Sequence, residues 1–373
     1  MQETDLVSIH HTVVWLSFAV AVLLGALMNK TNFCTMGAVS DIINMSDWNR
    51  MRMWLCAIAV AIVGTQALAA LGWLDLSKSF YTQSSLTWLS NIVGGLLFGF
   101  GMVLASGCGS KTLVRLGAGS LKSLVVFVVL GLFAFMTLRG LFGVWRVATV
   151  DTVQTLLASG QDLPRLLAGK EAGAGALAQM RWICALLIGG ALLAFCFASA
   201  EFRQRDSVLG GVGVGLGIVA IWFISGRLGF VSEHPKTLEE AYLATNSGRP
   251  ESLSFVAPIA YTLDWLMFWS DKSKLITLGI ASTLGMIAGS AVYAIATGQF
   301  RWEGFRDTED TANHLIGAAL MGIGGVTALG CTVGQGLSGL STLALGSMIA
   351  FAAIVAGAVL AMRYQIWRIE HMA

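Results

Sequence analysis

Residues 315–362 constrain the fold of this chain more than any other stretch, because 48 consecutive positions there carry no charged side chain. A single straight α-helix of that length would measure about 72 Å, whereas about 20 helical residues suffice to cross the hydrocarbon core of a bilayer. The stretch is too apolar to place a loop in water. We therefore predict that it lies in a membrane and is broken there into shorter helices.

Seven other uncharged apolar runs recur along the chain, and most are close to the length of one membrane-crossing helix. They are 13–28, 53–74, 79–110, 123–138, 182–200, 207–226 and 275–300. A chain that is 56% hydrophobic and only 12% charged cannot cover a soluble surface with polar side chains. The runs are continuously apolar rather than alternating, which excludes a transmembrane β-barrel. The sequence predicts an all-α polytopic membrane protein with the lipid bilayer as its solvent.

The placement of cations predicts the orientation of this membrane protein. No basic region precedes the first run and no small-residue cleavage site ends it, so we interpret it as a retained helix rather than a signal peptide. Arginines cluster at the ends of later spans, at positions 50 and 52, 203 and 205, 301 and 306, and 363 and 368. No Lys or Arg precedes the first span, which predicts an outside N-terminus and an inside C-terminus.

Two of the runs contain a cluster of glycine and cysteine at which a helix would break. The clusters are centred on Gly107, Cys108 and Gly109 and on Gly330 and Cys331. When they are aligned at an offset of 223 residues, eight of fifteen positions are identical, four of them glycine and one cysteine. This match indicates a duplication.

The duplication predicts two pseudo-symmetric halves, residues 1–200 and 207–373, joined by a charged linker at 201–206. A weaker match pairs residues 223–230 with 27–34, each a span end that includes one cation. Broken helices in matching positions indicate a central transport site, because irregular backbone in a bilayer is tolerated only within protein or along a cavity. We therefore predict broken or re-entrant helices around a central path.

Three of the six cysteines, Cys34, Cys108 and Cys331, adjoin the predicted breaks and are the candidate lining of this path. A neutral thiol is polarisable and is a weak donor and a weak acceptor, so it suits a solute that contains soft sulfur. Helix ends at the breaks would add free N–H groups, which favour an anion. The alternative is that these are small residues chosen for packing, which is our interpretation of the cysteines at positions 56, 184 and 196.

Other residues near the breaks are candidates for the same path. The cations that could attract an anion are Lys30, Lys111, Arg115 and Arg227. The alternative for each is a loop or snorkelling cation on the cytoplasmic side. The candidate path-lining glycines are Gly107, Gly109 and Gly330.

Several other functions lack the residues they need. Residues 107–112 (GCGSKT) are not a phosphate-binding loop, because that motif requires glycine before the lysine and Ser110 is there. No two cysteines form a Cys-x-x-Cys pair and none has a histidine near it in sequence, so we predict no metal site. We also predict no cofactor and no nucleic-acid partner. Only Lys111 is near Cys108 to stabilise a thiolate, so we predict that the protein is not an enzyme. Acidic residues are nearly absent from the spans, which favours passive or cysteine-relayed passage over strong ion coupling.

The motifs at the breaks resemble the YeeE/YedE sulfur-transport family. The resemblance covers most of the chain and is carried by residues 32–38 (NFCTMGA), 107–119 (GCGSKTLVRLGAG), 225–229 (SGRLG) and 330–340 (GCTVGQGLSGL). It implies a transporter of the bacterial inner membrane for thiosulfate or a related inorganic sulfur species, passed between thiols by S–H···S contacts. Carried over by motif, these roles fall on Cys34, Cys108 and Cys331. The implied partner is a separate cytosolic sulfur carrier of TusA-like or rhodanese-like kind.

One position departs from the family pattern, because Lys111 stands where thiosulfate importers are expected to have a small residue. An added cation could change the substrate or the direction of transport, and it makes the chain more similar to members associated with sulfur oxidation. Sulfite, a polysulfide, an organic persulfide, a selenium oxyanion and a soft metal ion therefore stay open as solutes. A membrane sensor that binds a sulfur compound without transporting it is a further alternative.

Overall fold

The computed structural model describes residues 3–169, 172–235 and 237–372, and most of these residues are helical. The α-helices are α1 (Glu3–Lys30), α2 (Thr35–Met45), α3 (Asn49–Ala70), α4 (Trp88–Leu104), α5 (Gly109–Gly117), α6 (Leu121–Arg139), α7 (Leu141–Ala148), α8 (Leu163–Ala168), α9 (Ala174–Cys184), α10 (Gly190–Phe197), α11 (Arg205–Phe223), α12 (Ala257–Met267), α13 (Leu278–Ala296), α14 (Thr308–Thr327) and α15 (Leu345–Met372).

Shorter elements extend or connect these helices. The π-helical segments are Ala185–Gly189, which joins α9 to α10, Ile224–Leu228, which extends α11, and Gly334–Gly339, which lies within a short helix at 332–341. The single 3-10 turns are Leu76–Lys78, Phe80–Thr82 and Val150–Thr152. Two antiparallel strand pairs join β1 (Ser85–Leu86) to β2 (Thr155–Leu156) and β3 (Phe230–Val231) to β4 (Ala241–Tyr242).

Eight helical stretches of the described residues are long and apolar enough to cross a membrane. They are Asp5–Met45, Asn49–Ala70, Trp88–Gly117, Leu121–Arg139, Ala174–Phe197, Arg205–Leu228, Leu278–Ala296 and Leu345–His371. The near absence of strands and these eight stretches confirm the predicted all-α polytopic fold.

The two longest uncharged runs break where glycine and cysteine cluster. In residues 315–362, α14 ends at Thr327, the helix at 332–341 follows, and α15 begins at Leu345. In residues 79–110, α4 ends at Leu104 and α5 begins at Gly109. The first of these runs therefore supplies parts of two long helices with a short helix between them, and the second supplies a long helix and the start of a short one. Both runs break inside, as the sequence predicted.

Helices α4 and α14 touch backbone to backbone through glycines. A Cβ atom on Gly94 would lie 2.7 Å from the carbonyl oxygen of Gly324, and one on Gly101 would lie 2.6 Å from that of Gly317. Because the later residue of α4 faces the earlier residue of α14, the two helices run antiparallel. Small residues of this kind let membrane helices approach closely.

Most long helices pack on a partner from the other predicted half. Helix α1 packs on α13, α3 on α11, α4 on α15, and α6 on α14. The two predicted halves therefore interlock in the folded chain. Their division at residues 201–206 stays a prediction.

The bundle has two ends, which are conveniently identified by two cations. Helix α1 ends at Lys30, whose amine pairs with Asp206 at the start of α11 at 3.4 Å. At the other end of the same helix pair, a Cβ atom on Gly229 would lie 3.3 Å from Val13. Arg227 belongs to this second end. We refer to these as the Lys30 end and the Arg227 end.

Candidate functional site

Each of the three candidate cysteines follows the same kind of turn. One helix ends, a residue adopts a left-handed backbone conformation, and the cysteine comes two residues later, directly before the next helix. The left-handed residues are Asn32 (φ 50°), Ser106 (φ 57°) and Leu329 (φ 57°). We refer to residues 31–34, 105–108 and 328–331 as the first, second and third cysteine turns.

The three cysteine turns also share their backbone hydrogen bonds. In the second turn, the N–H groups of residues 105, 106 and 107 donate to the carbonyls of residues 101, 103 and 102 at 2.9, 3.1 and 2.9 Å. The third turn repeats these bonds at an offset of 223 residues with 2.8, 3.0 and 2.8 Å, and residues 31–33 repeat them with 2.9, 3.3 and 3.2 Å. The pattern satisfies backbone groups that the ending helix would otherwise leave unpaired inside the bundle.

The cysteine of each turn sits at the N-terminal end of a short helix. The sulfur of Cys34 accepts from the N–H of Gly37 at 3.5 Å at the start of α2. The sulfur of Cys331 accepts in the same way from Gly334 at 3.3 Å. All three thiols are buried. An accepted N–H group occupies a lone pair of the sulfur and leaves its S–H proton available for donation.

The second cysteine turn differs in its side-chain contact. No side-chain bond from Cys108 caps α5, and its sulfur lies instead 3.2 Å from the hydroxyl oxygen of Ser110. The hydroxyl of Thr112 donates to the Cys108 carbonyl at 3.1 Å. The thiol of Cys108 is therefore held by polar side chains of the helix that it precedes.

The structure brings the three thiols into one region. Cys108 is near enough to both Cys34 and Cys331 for a charge on one thiol to influence the other. Phe255, which is fully buried, contributes a backbone N–H contact to Cys331. A Cβ atom on Gly109 would lie 3.4 Å from the carbonyl oxygen of Phe255. Phe255 therefore lies beside both the second and the third cysteine turns.

Lys111 follows the second cysteine turn in sequence and contacts the first. Its Nζ donates to Oδ1 of Asn32 at 3.3 Å. The amine is also near enough to Cys34 and Cys108 for their charges to interact. Lys111 therefore connects the first and second cysteine turns.

The other three candidate cations have different surroundings. Arg115 donates from Nη1 to the carbonyl of Ser106 at 2.8 Å, so it supports the second cysteine turn. Lys30 is engaged by Asp206, as described above. Arg227 is exposed at the Arg227 end, where its neighbour Gly226 faces Leu74. The structure thus groups Lys111 and Arg115 with the thiols and places Lys30 and Arg227 at opposite ends of α1 and α11.

Two of the candidate glycines, Gly107 and Gly330, lie against residues of the short helices that follow the cysteines. A Cβ atom on Gly107 would lie 3.1 Å from Cγ of Lys111, and one on Gly330 would lie 3.2 Å from the backbone nitrogen of Gln335. Gly330 also lines a cavity of about 290 Å³. Larger residues at these two positions would crowd Lys111 and the helix that follows Cys331.

Glu251 is a residue of this region that the sequence did not single out. Its carboxylate lies in the same cavity as Gly330 and accepts from the hydroxyl of Ser247 at 2.7 Å and the backbone N–H of Asn246 at 3.4 Å. Burial raises the pKa of the Glu251 carboxyl above its ordinary value, although these hydrogen bonds oppose the rise. Glu251 belongs to a connection between long helices, and no hydrophobic periodicity in the sequence signals that this connection folds back against the third cysteine turn.

Tyr81 and Ser254 were missed for the same reason. Both belong to segments between long helices, and both have their hydroxyl oxygens close to Gly334, whose N–H group bonds Cys331. Tyr81 lies near the start of the uncharged run 79–110, where nothing in the sequence distinguishes it from the other apolar residues of the run. Phe230, which the weaker internal match pairs with Cys34, lies in β3 and not at the start of a helix.

Comparisons with known proteins point to the same class of function. The model of the family described as sulphur transport matches residues 30–360. The chain is 26% identical over 343 residues to the thiosulfate transporter TsuA of Spirochaeta thermophila, an alignment that covers 90% of this chain and 94% of the relative. It is 28% identical over 324 residues to the thiosulfate transporter TsuA of Escherichia coli, with 84% of each chain covered.

Proposed function

The chain belongs to the sulphur transport family, and on that premise we propose that it carries thiosulfate or a related inorganic sulfur species across a membrane along a path formed by Cys34, Cys108 and Cys331. The family and the eight apolar helical stretches make it a multi-pass membrane transporter rather than an enzyme. The choice of thiosulfate is supported by the names of the two relatives.

The observation that carries the cysteine path is the threefold use of one turn. Each cysteine turn presents a thiol at the positive end of a short helix, and in two of them a backbone N–H already occupies a lone pair of the sulfur. The S–H proton is then directed elsewhere and can meet the terminal sulfur of an anion. A neutral thiol adds no negative charge that would repel that anion.

The cations of the path act at different places in this proposal. Lys111 and Arg115 lie with the first and second cysteine turns, where they offset the charge of an anion inside the protein. Lys30 and Arg227 lie at the two ends of the bundle, where they attract the anion before it enters or after it leaves. Gly107, Gly109 and Gly330 leave room beside the backbone of the turns.

We further propose that the Lys30 end faces the cytoplasm of a bacterial inner membrane. Arg50, one of the span-end arginines, follows α2 at that end and pairs with Asp41 at 3.3 Å. This orientation leaves the N-terminus outside and the C-terminus inside. A TusA-like or rhodanese-like carrier would then collect the sulfur species at the Lys30 end, a partner that rests on the family resemblance alone.

Flux into liposomes tests the proposed function directly. Purified protein is reconstituted, and the uptake of radiolabelled thiosulfate is followed for the wild type and for Cys108→Ala and Cys331→Ala. We expect the uptake rate of each variant to fall by a factor of roughly ten or more, because one hydrogen-bonding contact in the path is removed. Cys184→Ala is the matched control, since Cys184 is equally buried but lies at the end of α9 away from the cysteine turns.

The same assay separates the alternative solutes. Sulfite, selenite and a soft metal ion are added as competitors, and the one that suppresses uptake most at equal concentration identifies the preferred class. Wild-type rates in both Cys108→Ala and Cys331→Ala would contradict the cysteine path. Saturable binding of thiosulfate without any flux would replace the transporter with a sensor.

A further inference from the structure

The hydroxyl of Tyr81 is buried and has no hydrogen-bond partner among the described residues. Tyr81 lies in the 3-10 turn Phe80–Thr82, and only 4% of the residue is exposed. Buried tyrosines usually give their hydroxyl a partner, because desolvating an unpaired polar group is costly. This hydroxyl therefore keeps a donor that the fold itself does not use.

The ring that carries this hydroxyl is held in place on several sides. It packs at 4.0 Å between centroids on Phe80 and at 6.2 Å, edge to face, on Trp222. The indole N–H of Trp222 donates to the hydroxyl of Ser341 at 3.0 Å, and the backbone N–H of Tyr81 donates to Ser79 at 3.4 Å. The position of the Tyr81 hydroxyl is thus set by the packing of its ring, by the hydrogen bond of its own backbone and by the hydrogen bond that holds Trp222.

The hydroxyl lies beside the backbone that binds the third thiol. A Cβ atom on Gly334 would stand 3.5 Å from the Tyr81 oxygen and 2.7 Å from the hydroxyl oxygen of Ser254. The N–H of Gly334 donates to the sulfur of Cys331, and Tyr81 is near enough to Cys331 for their charges to interact. Two hydroxyl groups therefore flank the point at which the chain holds this thiol.

A solute can approach this point through the neighbouring cavity. The cavity of about 290 Å³ is lined by both Ser254 and Gly330, the residue directly before Cys331. Ser254 therefore faces the cavity on one side and Gly334 on the other. Arg146 and Glu251 line the same cavity, so it holds a cation as well as a carboxyl group.

Resting on the proposed function, we propose that the hydroxyls of Tyr81 and Ser254 bind the oxygen atoms of a sulfur oxyanion and thereby turn its terminal sulfur toward Cys331. A hydroxyl that donates to a charged oxygen forms a stronger bond than one between neutral groups. Burial raises the pKa of Tyr81 well above its ordinary value, so the hydroxyl keeps its proton for donation. The pair selects sulfur anions that carry a sulfonate-type group over hydrosulfide and other species without oxygen.

Tyr81→Phe tests this assignment because it removes the hydroxyl and keeps the ring. In the liposome assay we expect the KM for thiosulfate to rise about tenfold or more while the maximal rate changes little. Equilibrium binding of thiosulfate to detergent-solubilised protein should weaken by a similar factor. Tyr242→Phe is the matched control, since Tyr242 is also a buried tyrosine but packs on Phe230 in the β3–β4 pair.

Thermal unfolding distinguishes binding from a structural role. Because the Tyr81 hydroxyl has no partner among the described residues, Tyr81→Phe should unfold at a temperature no lower than the wild type. Ser254→Ala provides a second variant and should raise the KM in the same direction. A wild-type KM in both variants, or a destabilised Tyr81→Phe protein, overturns the proposal. If Cys331→Ala loses uptake and Tyr81→Phe keeps the wild-type KM, this inference is wrong and the proposed function stands. If the wild-type protein shows no flux, the proposed function itself is wrong.

Discussion

The Nζ of Lys111 donates to Oδ1 of Asn32 at 3.3 Å, and this contact ties the helix that follows the second cysteine turn to the left-handed residue of the first. The contact places one positive charge beside Cys34 and Cys108. A partly buried cation interacts with an anion more strongly than one in water, because the surroundings screen it less. In the proposed function, Lys111 holds the anion between these two thiols.

Lys111→Met should raise the KM for thiosulfate by roughly tenfold and make uptake less sensitive to ionic strength. Initial uptake rates at several salt concentrations measure both effects. Lys272→Met is the control, because Lys272 is an exposed lysine in the connection between α12 and α13 and has no part in the proposed path. Equal effects of the two substitutions would contradict a special role for Lys111.

Gly334→Ala should reduce thiosulfate uptake about tenfold or more, because the added methyl group would fill the space between two hydroxyls and the thiol. Its Cβ atom would lie 2.7 Å from Oγ of Ser254. Gly190→Ala is the control, since a Cβ atom there meets nothing within 4 Å. Uptake by Gly334→Ala at the rate of Gly190→Ala would show that this space is not part of the path.

Gly94→Ala should lower the free energy of unfolding by about 1–3 kcal/mol through overpacking. The new Cβ atom would lie 2.4 Å from the backbone nitrogen of Ala328, which cannot move without shifting α14. Denaturation in detergent, followed by circular dichroism, measures the loss. Gly304→Ala, at which a Cβ atom meets nothing within 4 Å, should leave the stability unchanged.

Glu251 should make the stability depend on pH. Its pKa is raised above the ordinary 4.5, so the folded protein holds the proton after the unfolded chain has released it. As pH rises from about 4.5 through the folded-state pKa, the wild type should lose stability relative to Glu251→Gln, and the difference should then level off. The midpoint of thermal unfolding, measured over pH for both proteins, gives this difference.

The control for this pH effect is Glu201→Gln, which removes an exposed carboxylate of the segment between α10 and α11. We expect its pH profile to follow that of the wild type. A constant difference between the wild type and Glu251→Gln at every pH would show that the carboxyl titrates alike in the folded and unfolded chains.

The sequence was sufficient to predict the helix breaks and the three cysteines beside them. Long uncharged runs form α-helices in lipid because a helix satisfies its own backbone hydrogen bonds, and glycine clusters mark where those runs can leave helical geometry. The left-handed residues of the second and third turns are Ser106 and Leu329 and not the adjacent Gly107 and Gly330. Glycine identified the region of each break but not the residue that turns.

Tyr81, Ser254 and Glu251 could not be predicted in the same way. They belong to connections between helices, and hydrophobic periodicity says nothing about where such connections fold. Their contacts with Gly334 or Gly330 depend on segments that are distant in sequence. Arg227 is the opposite case. The motif that contains it can be recognised in the sequence, but in the structure its side chain is exposed at the end of the π-helical segment that extends α11.

The backbone contact between α4 and α14 also bears on how this protein can change over evolution. The distance between these helices is set by main-chain atoms at Gly94, Gly101, Gly317 and Gly324, and not by side chains that can exchange rotamers. Substitutions around the thiols that keep these four glycines therefore leave the spacing of α4 and α14 unchanged. In the proposed function, residues such as Lys111 and Tyr81 could then be replaced to change the preferred solute without moving these two helices.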